Sequence, residues 1–194
     1  EAVAFVVASA PEALAGAERV FRLVDYPADV ADRREPALPE GGIRGRVEFR
    51  DVWFGYDPER PVLRGIDFQV EPGETVAIVG PTGSGKSTLL SLIPRFYDPD
   101  RGQVVIDGVD SRDLPVRTYR RQVGVVFQEA FLFSNTIRHN VAFGEPEADE
   151  HDVLSALETA CAVEVVEEKE SGLHTVIGER GVSLSGGQRQ RLTI

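Results

Sequence analysis

The sequence predicts an α/β fold built around a phosphate-binding loop, and three adjoining stretches carry that prediction. Gly80-Pro81-Thr82-Gly83-Ser84-Gly85-Lys86-Ser87-Thr88 satisfies every fixed position of the G-x-x-x-x-G-K-[ST] pattern. Residues 74–79 before it read as a short buried strand, bounded upstream by Pro72-Gly73. Residues 87–92 after it read as the start of a helix with Leu89, Leu90 and Ile93 as its apolar face. Strand, glycine loop and helix is the order in which several backbone N–H groups can turn inward on a phosphate. The helix N-terminus adds partial positive charge. In such a loop Lys86 reaches the β- and γ-phosphates, and the Ser87 hydroxyl ligates Mg²⁺. The bland alternative is an ordinary glycine-rich turn, which the full match with both flanks in place disfavours. The pattern implies a bound nucleoside triphosphate.

Taken from the start, residues 1–26 read as helical, with an apolar stripe at Val3, Val7, Ala10, Leu14, Ala17, Phe21 and Val24. Pro11 predicts a kink or a fresh start within it. Such a helix either packs on its own domain or trails from a further upstream domain. Residues 27–45 change character, with Pro27, Pro36, Pro39, Gly41, Gly42 and Gly45 among charges, and read as a linker. In the β-rich block that follows, Val47 and Phe49, then Val52 and Phe54, alternate around a bulge expected near Asp51. Ile66, Phe68 and Val70 alternate as a second strand. Residues 103–106 form another, closed by Asp107-Gly108. A short helix over 114–121 precedes residues 123–127, an apolar run that reads as a buried strand ending at Gln128. Beyond it the pattern is helical. A short helix starts at Asn135-Thr136-Ile137, and Asp149 is placed to cap a longer one through Val153, Leu154, Leu157 and Cys161. The acidic run 164–170 reads as a solvated helix face.

The 194 residues suffice for a real core, and a net charge of −11 argues against a nucleic-acid partner, which would call for a basic face. Cys161 is the only cysteine, so no internal disulfide forms; its apolar surroundings (Leu157, Ala160, Val163) predict a packed, inert thiol. His139, His151 and His174 are scattered and read as solvated, with no metal-ligand spacing beyond the Mg²⁺ that accompanies a nucleotide. No stretch reaches the roughly 18 consecutive apolar residues of a membrane span. The apolar residues 1–10 lack a basic leader, and the chain contains no methionine, so the amino terminus is expected to be a cut end.

A phosphate loop alone permits kinases, GTPases, helicases and transport motors. Leu184-Ser185-Gly186-Gly187-Gln188 narrows the field, because Ser185 can cap the next helix and the glycines let its N-terminus close on an anion. About a hundred residues after a phosphate loop, this stretch resembles the signature motif of the ABC transporter nucleotide-binding domain. The resemblance covers nearly all of residues 46–194. It implies a phosphate-loop NTPase fold with an antiparallel β-subdomain and an α-helical signature subdomain, incomplete at the C-terminus. Phe54-Gly55-Tyr56 looks like the family's A-loop, with Tyr56 stacking on adenine; read alone, it is an exposed loop tyrosine. Gln128 matches the Q-loop glutamine, implied to bridge Mg²⁺ and the attacking water and to sense the membrane domain. Residues 131–137 are similar to the segment that follows in exporters, where Gly often occupies the position of Asn135. Gly178-Glu179-Arg180-Gly181 looks like the exporter X-loop, and the striped residues 1–26 like the cytosolic end of a last transmembrane helix.

The resemblance implies a second nucleotide-binding domain, paired head to tail, and a transmembrane domain on the same polypeptide. The expected place is the cytoplasmic face of the inner membrane. Lys86, Ser87 and the loop amides of residues 80–88 would act in cis on ATP and Mg²⁺. Ser185, Gly186, Gly187 and Gln188 would act on the partner's nucleotide, with Gln128, Lys86 and Ser185 as the catalytic set and Ser87 and Gln128 at the metal. The Walker B aspartate, catalytic glutamate, D-loop and switch histidine of the family do not occur in the sequence. The chain is therefore expected to be an internal piece of a longer half-transporter, itself without family-like hydrolysis. Two other readings stand at this level: a soluble ABC-type ATPase of DNA repair or translation, and a nucleotide-binding regulatory module without turnover.

Overall fold

The computed structural model describes residues 14–26, 28, 30–33, 35–178 and 184–194. They belong to two compact units, Glu1–Val116 and Arg117–Ile194. In the first unit residues 14–24 form helix α1, with Leu14, Phe21 and Val24 exposed. The earlier stripe positions and Pro11 lie outside the described residues. The described residues from 25 to 46 form neither helix nor strand.

Four antiparallel strands follow: β1 (Val47–Phe54), β2 (Leu63–Val70), β3 (Arg101–Ile106) and β4 (Val109–Asp110), in the order β2-β1-β3-β4. Alternation drives β1, since Phe49, Val52 and Phe54 are buried, and Phe49 stacks on its cross-strand partner Phe68 at 4.6 Å. The bulge expected near Asp51 is present: φ there is 44°, and the register of β1 with both neighbours shifts beside it. Across from it Gly102 has φ 80°, and a β-carbon there would lie 2.2 Å from the Asp51 carbonyl oxygen. Asp107-Gly108 joins β3 to β4 with φ of 49° and 87°, both left-handed, as a tight hairpin turn requires.

Asp107 also ties the preceding segment to the sheet. Its Oδ2 accepts the N–H groups of Arg44 (2.7 Å) and Gly45 (3.1 Å), and its Oδ1 that of Arg46 (3.0 Å). Burial pushes this carboxyl up, but the three backbone donors, with the Arg44 charge, outweigh it and hold its pKa below the ordinary value of 3.8.

Residues 74–79 and 123–127, expected as buried strands, are not assigned to any strand, with Val79 89% and Phe127 59% exposed. A strand is stabilised by a neighbour that takes up its N–H and C=O groups, and no described strand lies beside either segment. Helix α2 (Lys86–Leu92) begins where expected, but it buries Thr88, Leu89 and Leu92, while Leu90 is exposed. Leu92 lies three residues beyond Leu89 on the same face, and Leu90 is turned about 100° from it.

The second unit is helical. It runs through α3 (Val116–Arg120, at the unit boundary), α4 (Ile137–Val141), α5 (Glu150–Thr159), α6 (Val163–Glu167) and α7 (Gly186–Leu192). Thr136 caps α4, and Asp149 caps α5 through the Asp152 N–H at 2.9 Å. Leu132, Ile137, Leu157, Val165, Ile177 and Leu192 belong to its core. The acidic run is only partly a solvated face: Val165 and Val166 are buried, and Glu164 pairs with Arg191. Cys161 is exposed, against expectation. Helix α5 ends at Thr159, and Cys161 adopts φ 52° in the turn after it, so the thiol leaves the face that Leu157 and Ala162 fill. His139, His151 and His174 are exposed, as their spacing implied.

Gly102→Ala should destabilise the first unit by about 3 kcal/mol or more in urea denaturation, because clash and left-handed strain coincide there. Asp107→Asn keeps the shape and tolerates positive φ, but it replaces a charged acceptor. At neutral pH it should cost about 1 kcal/mol after allowance for solvent screening. Because the folded carboxyl is depressed, its contribution is complete above the unfolded pKa and fades as pH falls through the lower folded one. Denaturation curves of the variant and the parent should therefore converge below the ordinary carboxylate range.

Candidate nucleotide-binding site

The first unit assembles the loop and the tyrosine. After β2, Gly73 (φ 78°) turns the chain, with the Glu74 N–H donating to the Glu71 carbonyl at 3.1 Å, into the extended approach to the loop. Gly83 and Gly85 have φ of 81° and 89°, left-handed values that bend the loop into α2. Gly85 is the α2 N-cap and offers no side-chain acceptor, so no residue of its own occupies that end of the helix. A β-carbon on Gly80 would come within 2.9 Å of the Ser84 hydroxyl. Lys86 folds over the loop, its Nζ donating to the carbonyls of Gly80 (2.9 Å) and Pro81 (2.8 Å) and lying 3.5 Å from Ser84 Oγ. Pro81, Thr82 and Ser87 are exposed.

Tyr56, far from the loop in sequence, donates its hydroxyl to Thr88 Oγ1 at 3.3 Å. The ring is 60% exposed and meets Phe54 and Tyr97 edge to face, at 5.2 and 5.3 Å. Tyr97 was not legible as a site residue. Its only signal was an aromatic pair just past the α2 helix, and nothing local links that pair to Tyr56.

Gln128 and the signature stretch belong to the second unit. Gln128 is exposed, in a bend just after Phe127. Ser185 forms a capping box on α7. Its Oγ accepts the Gln188 N–H at 3.2 Å, and Gln188 Oε1 accepts the Ser185 N–H at 2.9 Å. Gln188 Nε2 also approaches Glu168 at 3.4 Å, so its amide is engaged within the unit. Gly186 and Gly187 are exposed, and a β-carbon on Gly186 would meet nothing within 4 Å. Of the X-loop-like segment, only Gly178 is among the described residues.

An apolar cavity of about 410 Å³ also lies in this unit, walled by Phe127, Phe131, Phe133 and Phe143. Asn140 holds its rim, accepting the Phe133 N–H at 2.7 Å and donating to the Phe133 carbonyl at 3.0 Å. It carries no cluster of phosphate-binding groups.

A phosphate loop between an extended lead-in and a helix, with an aromatic ring tied to that helix, defines a nucleoside-triphosphate-binding domain. A model of the ABC transporter family matches residues 63–194, and the chain belongs to that family. A domain of this family binds ATP. The chain is 47% identical over 182 residues to an ATP-dependent lipid A-core flippase of Chromobacterium violaceum, covering 93% of this chain and 31% of the relative. It is 45% identical over 177 residues to a beta-(1→2)glucan export ATP-binding/permease protein of Rhodopseudomonas palustris, covering 91% and 29%. A bacterial Atm1-family ABC exporter, solved with ATP bound, superposes with a TM-score of 0.87 at 38% identity, covering 98% of this chain and 33% of that one. The chain thus spans about a third of the length of the curated relatives it matches. None of the described helices is long and apolar enough to cross a membrane.

Ser185→Ala removes one half of the capping box. It should cost about 1 kcal/mol locally, read as faster hydrogen exchange at the Gln188 amide, with β1–β3 protection unchanged.

Proposed function

We propose that this chain is the core of the ATP-binding and ATP-hydrolysing motor domain of an ABC exporter. The observation that carries the reading is the Tyr56–Thr88 hydrogen bond, which joins an exposed aromatic face to the helix of the phosphate loop. Tyr56 stacks on adenine, and the loop amides of residues 80–88 hold the phosphates. Lys86 has three donors. Two rest on the Gly80 and Pro81 carbonyls, which hold the ammonium over the loop, and in this reading it serves the β- and γ-phosphates.

Ser87 and Gln128 offer a hydroxyl and an amide oxygen, hard ligands of the kind Mg²⁺ takes, and the exposed Ser87 is open to such a role. When bound, that ion neutralises charge on the phosphates. Gln128 aligns the attacking water, and the electrostatic load falls on Lys86 and the loop.

Ser185, Gly186, Gly187 and Gln188 serve a second nucleotide-binding domain paired head to tail, presenting the capped start of α7 to that domain's γ-phosphate. Tighter binding of ATP to the closed pair biases closure, and hydrolysis releases it. The transmembrane domain lies on the same polypeptide, with this unit at the cytoplasmic face. Residues 1–26 lead from that domain, 27–45 link, and 46–194 form the ATP-binding domain. The exposed aromatics Phe131, Phe133 and Phe143 support a docking surface for the membrane domain beside Gln128.

In the protein at its natural length, Lys86→Ala should abolish ATP hydrolysis. Tyr56→Ala should weaken ATP binding by roughly tenfold, the scale of one lost aromatic–base stack, and Tyr56→Trp should restore it. Hydrolysis that survives Lys86→Ala, or ATP affinity indifferent to Tyr56, would refute the reading.

A further inference from the structure

We propose that residues 30–33 form a strap that sets the position of Tyr56, with Val30 as its contact. Affinity for the nucleotide base then depends on how the strap is docked. The inference rests on the reading of Tyr56 as the adenine platform, and it concerns a stretch whose composition marks only a linker.

The strap is fixed at several points. Arg95, 1% exposed, donates from Nη2 to the Ala31 carbonyl at 2.9 Å. The same guanidinium is held by Asp98 at 2.7 and 3.1 Å and reaches the Leu114 carbonyl at 3.4 Å. Asp32 Oδ1 accepts the Val116 N–H at 2.8 Å, and Arg33 pairs with Asp113 at 2.7 Å. The Ala37 N–H donates to the Asp113 carbonyl at 3.1 Å. A solvated tether makes no such set of contacts, and a buried guanidinium aimed at one linker carbonyl holds that carbonyl in register.

At the end of this anchored run, half-buried Val30 lines a cavity of about 280 Å³ with Phe54, Gly55, Tyr56, Tyr97 and Asp98. Asp98 therefore belongs both to the Arg95 clamp and to the wall beside Tyr56. The tyrosine is otherwise steadied by one 3.3 Å hydrogen bond and by edge contacts with Phe54 and Tyr97, on a loop. Val30 lines the same cavity as the ring. Helix α1 lies just upstream, so displacement of that helix reaches the tyrosine through the strap. Val30 and Asp32 are positioning residues: they act on the base through Tyr56 and leave the phosphate loop alone.

The test compares two ligands, ATP and inorganic tripolyphosphate, which has the phosphates and no base. Binding is measured by calorimetry without divalent cations on the protein at its natural length. The variants are Val30→Ala, which trims the cavity wall, and Asp32→Ala, which releases the strap without touching the cavity; Tyr56→Ala is the reference. Val30→Ala should weaken ATP about fivefold, somewhat below the range for a lost apolar group that touches the ligand itself. Asp32→Ala should act in the same direction, and tripolyphosphate affinity should stay unchanged in both. Equal weakening of both ligands would overturn the proposal, because it would mean general loosening of the unit. ATP affinity unchanged in both strap variants but lowered in Tyr56→Ala would overturn the strap and leave the adenine platform standing. ATP affinity unchanged in Tyr56→Ala would remove the platform itself.

Discussion

The first unit depends on one close approach. Opposite the β1 bulge, Gly102 brings β3 so near Asp51 that only a glycine fits, at a left-handed φ that glycine alone adopts without strain. That contact sets where the ladder resumes, pairing Trp53 with Arg101. From there the Asp100 N–H donates to the Trp53 carbonyl, and Asp100 Oδ2 accepts the Gly55 N–H at 2.9 Å, closing the end of β1. Gly55 is itself hemmed in, since a β-carbon would lie 2.8 Å from the carbonyl oxygens of Asp57 and Arg60. The next residue is Tyr56. The register between β1 and β3 thus fixes where a ring meets Thr88, one helical turn beyond the loop's last glycine.

The loop obeys a second constraint, that its own groups must be occupied without filling the place of a ligand. The lysine does this by bracing itself against two carbonyls of the loop it serves. The left-handed glycines do it by carrying no side chain. An acidic or amide cap at Gly85 would strengthen α2, yet it would put an acceptor at the helix end that the proposed function gives to phosphate. The bare N-cap is consistent with a helix end reserved for phosphate.

Local signals in the sequence were reliable and non-local ones were not. The bulge at Asp51, the turn at Asp107-Gly108, the helix start at residues 135–137, the caps Asp149 and Ser185, and the start of α2 follow from neighbours a few residues apart, and each stands where its spacing put it. Residues 74–79 and 123–127 carry the apolar composition of strands, but composition alone does not set a ladder register, and neither joins the described sheet. Cys161 kept the apolar rhythm of α5 past the point where a left-handed turn had already ended the helix. Tyr97 and Arg95 are a separate case. Their significance lies in contacts with Tyr56 and Ala31, tens of residues away, and periodicity holds no trace of those contacts.

The glycines of the signature stretch show how local cost points beyond the chain. Gly80, Gly85 and Gly102 are each required by a neighbour or by a left-handed φ. Gly186 is not, because it lies in helical conformation and, among the described residues, nothing stands within 4 Å of where a β-carbon would go, and Gly187 has only the Arg191 guanidinium at 3.7 Å. Each glycine in a helix gives up about 0.5–1 kcal/mol relative to alanine. Among the described residues nothing packed on α7 offsets that loss, although the capping box shows that the same turn is otherwise built for stability. A bare backbone at a capped helix start is of use to a partner that must come closer than a methyl group allows. The two glycines leave that capped end of α7 bare of side chains, as the proposed head-to-tail pairing requires.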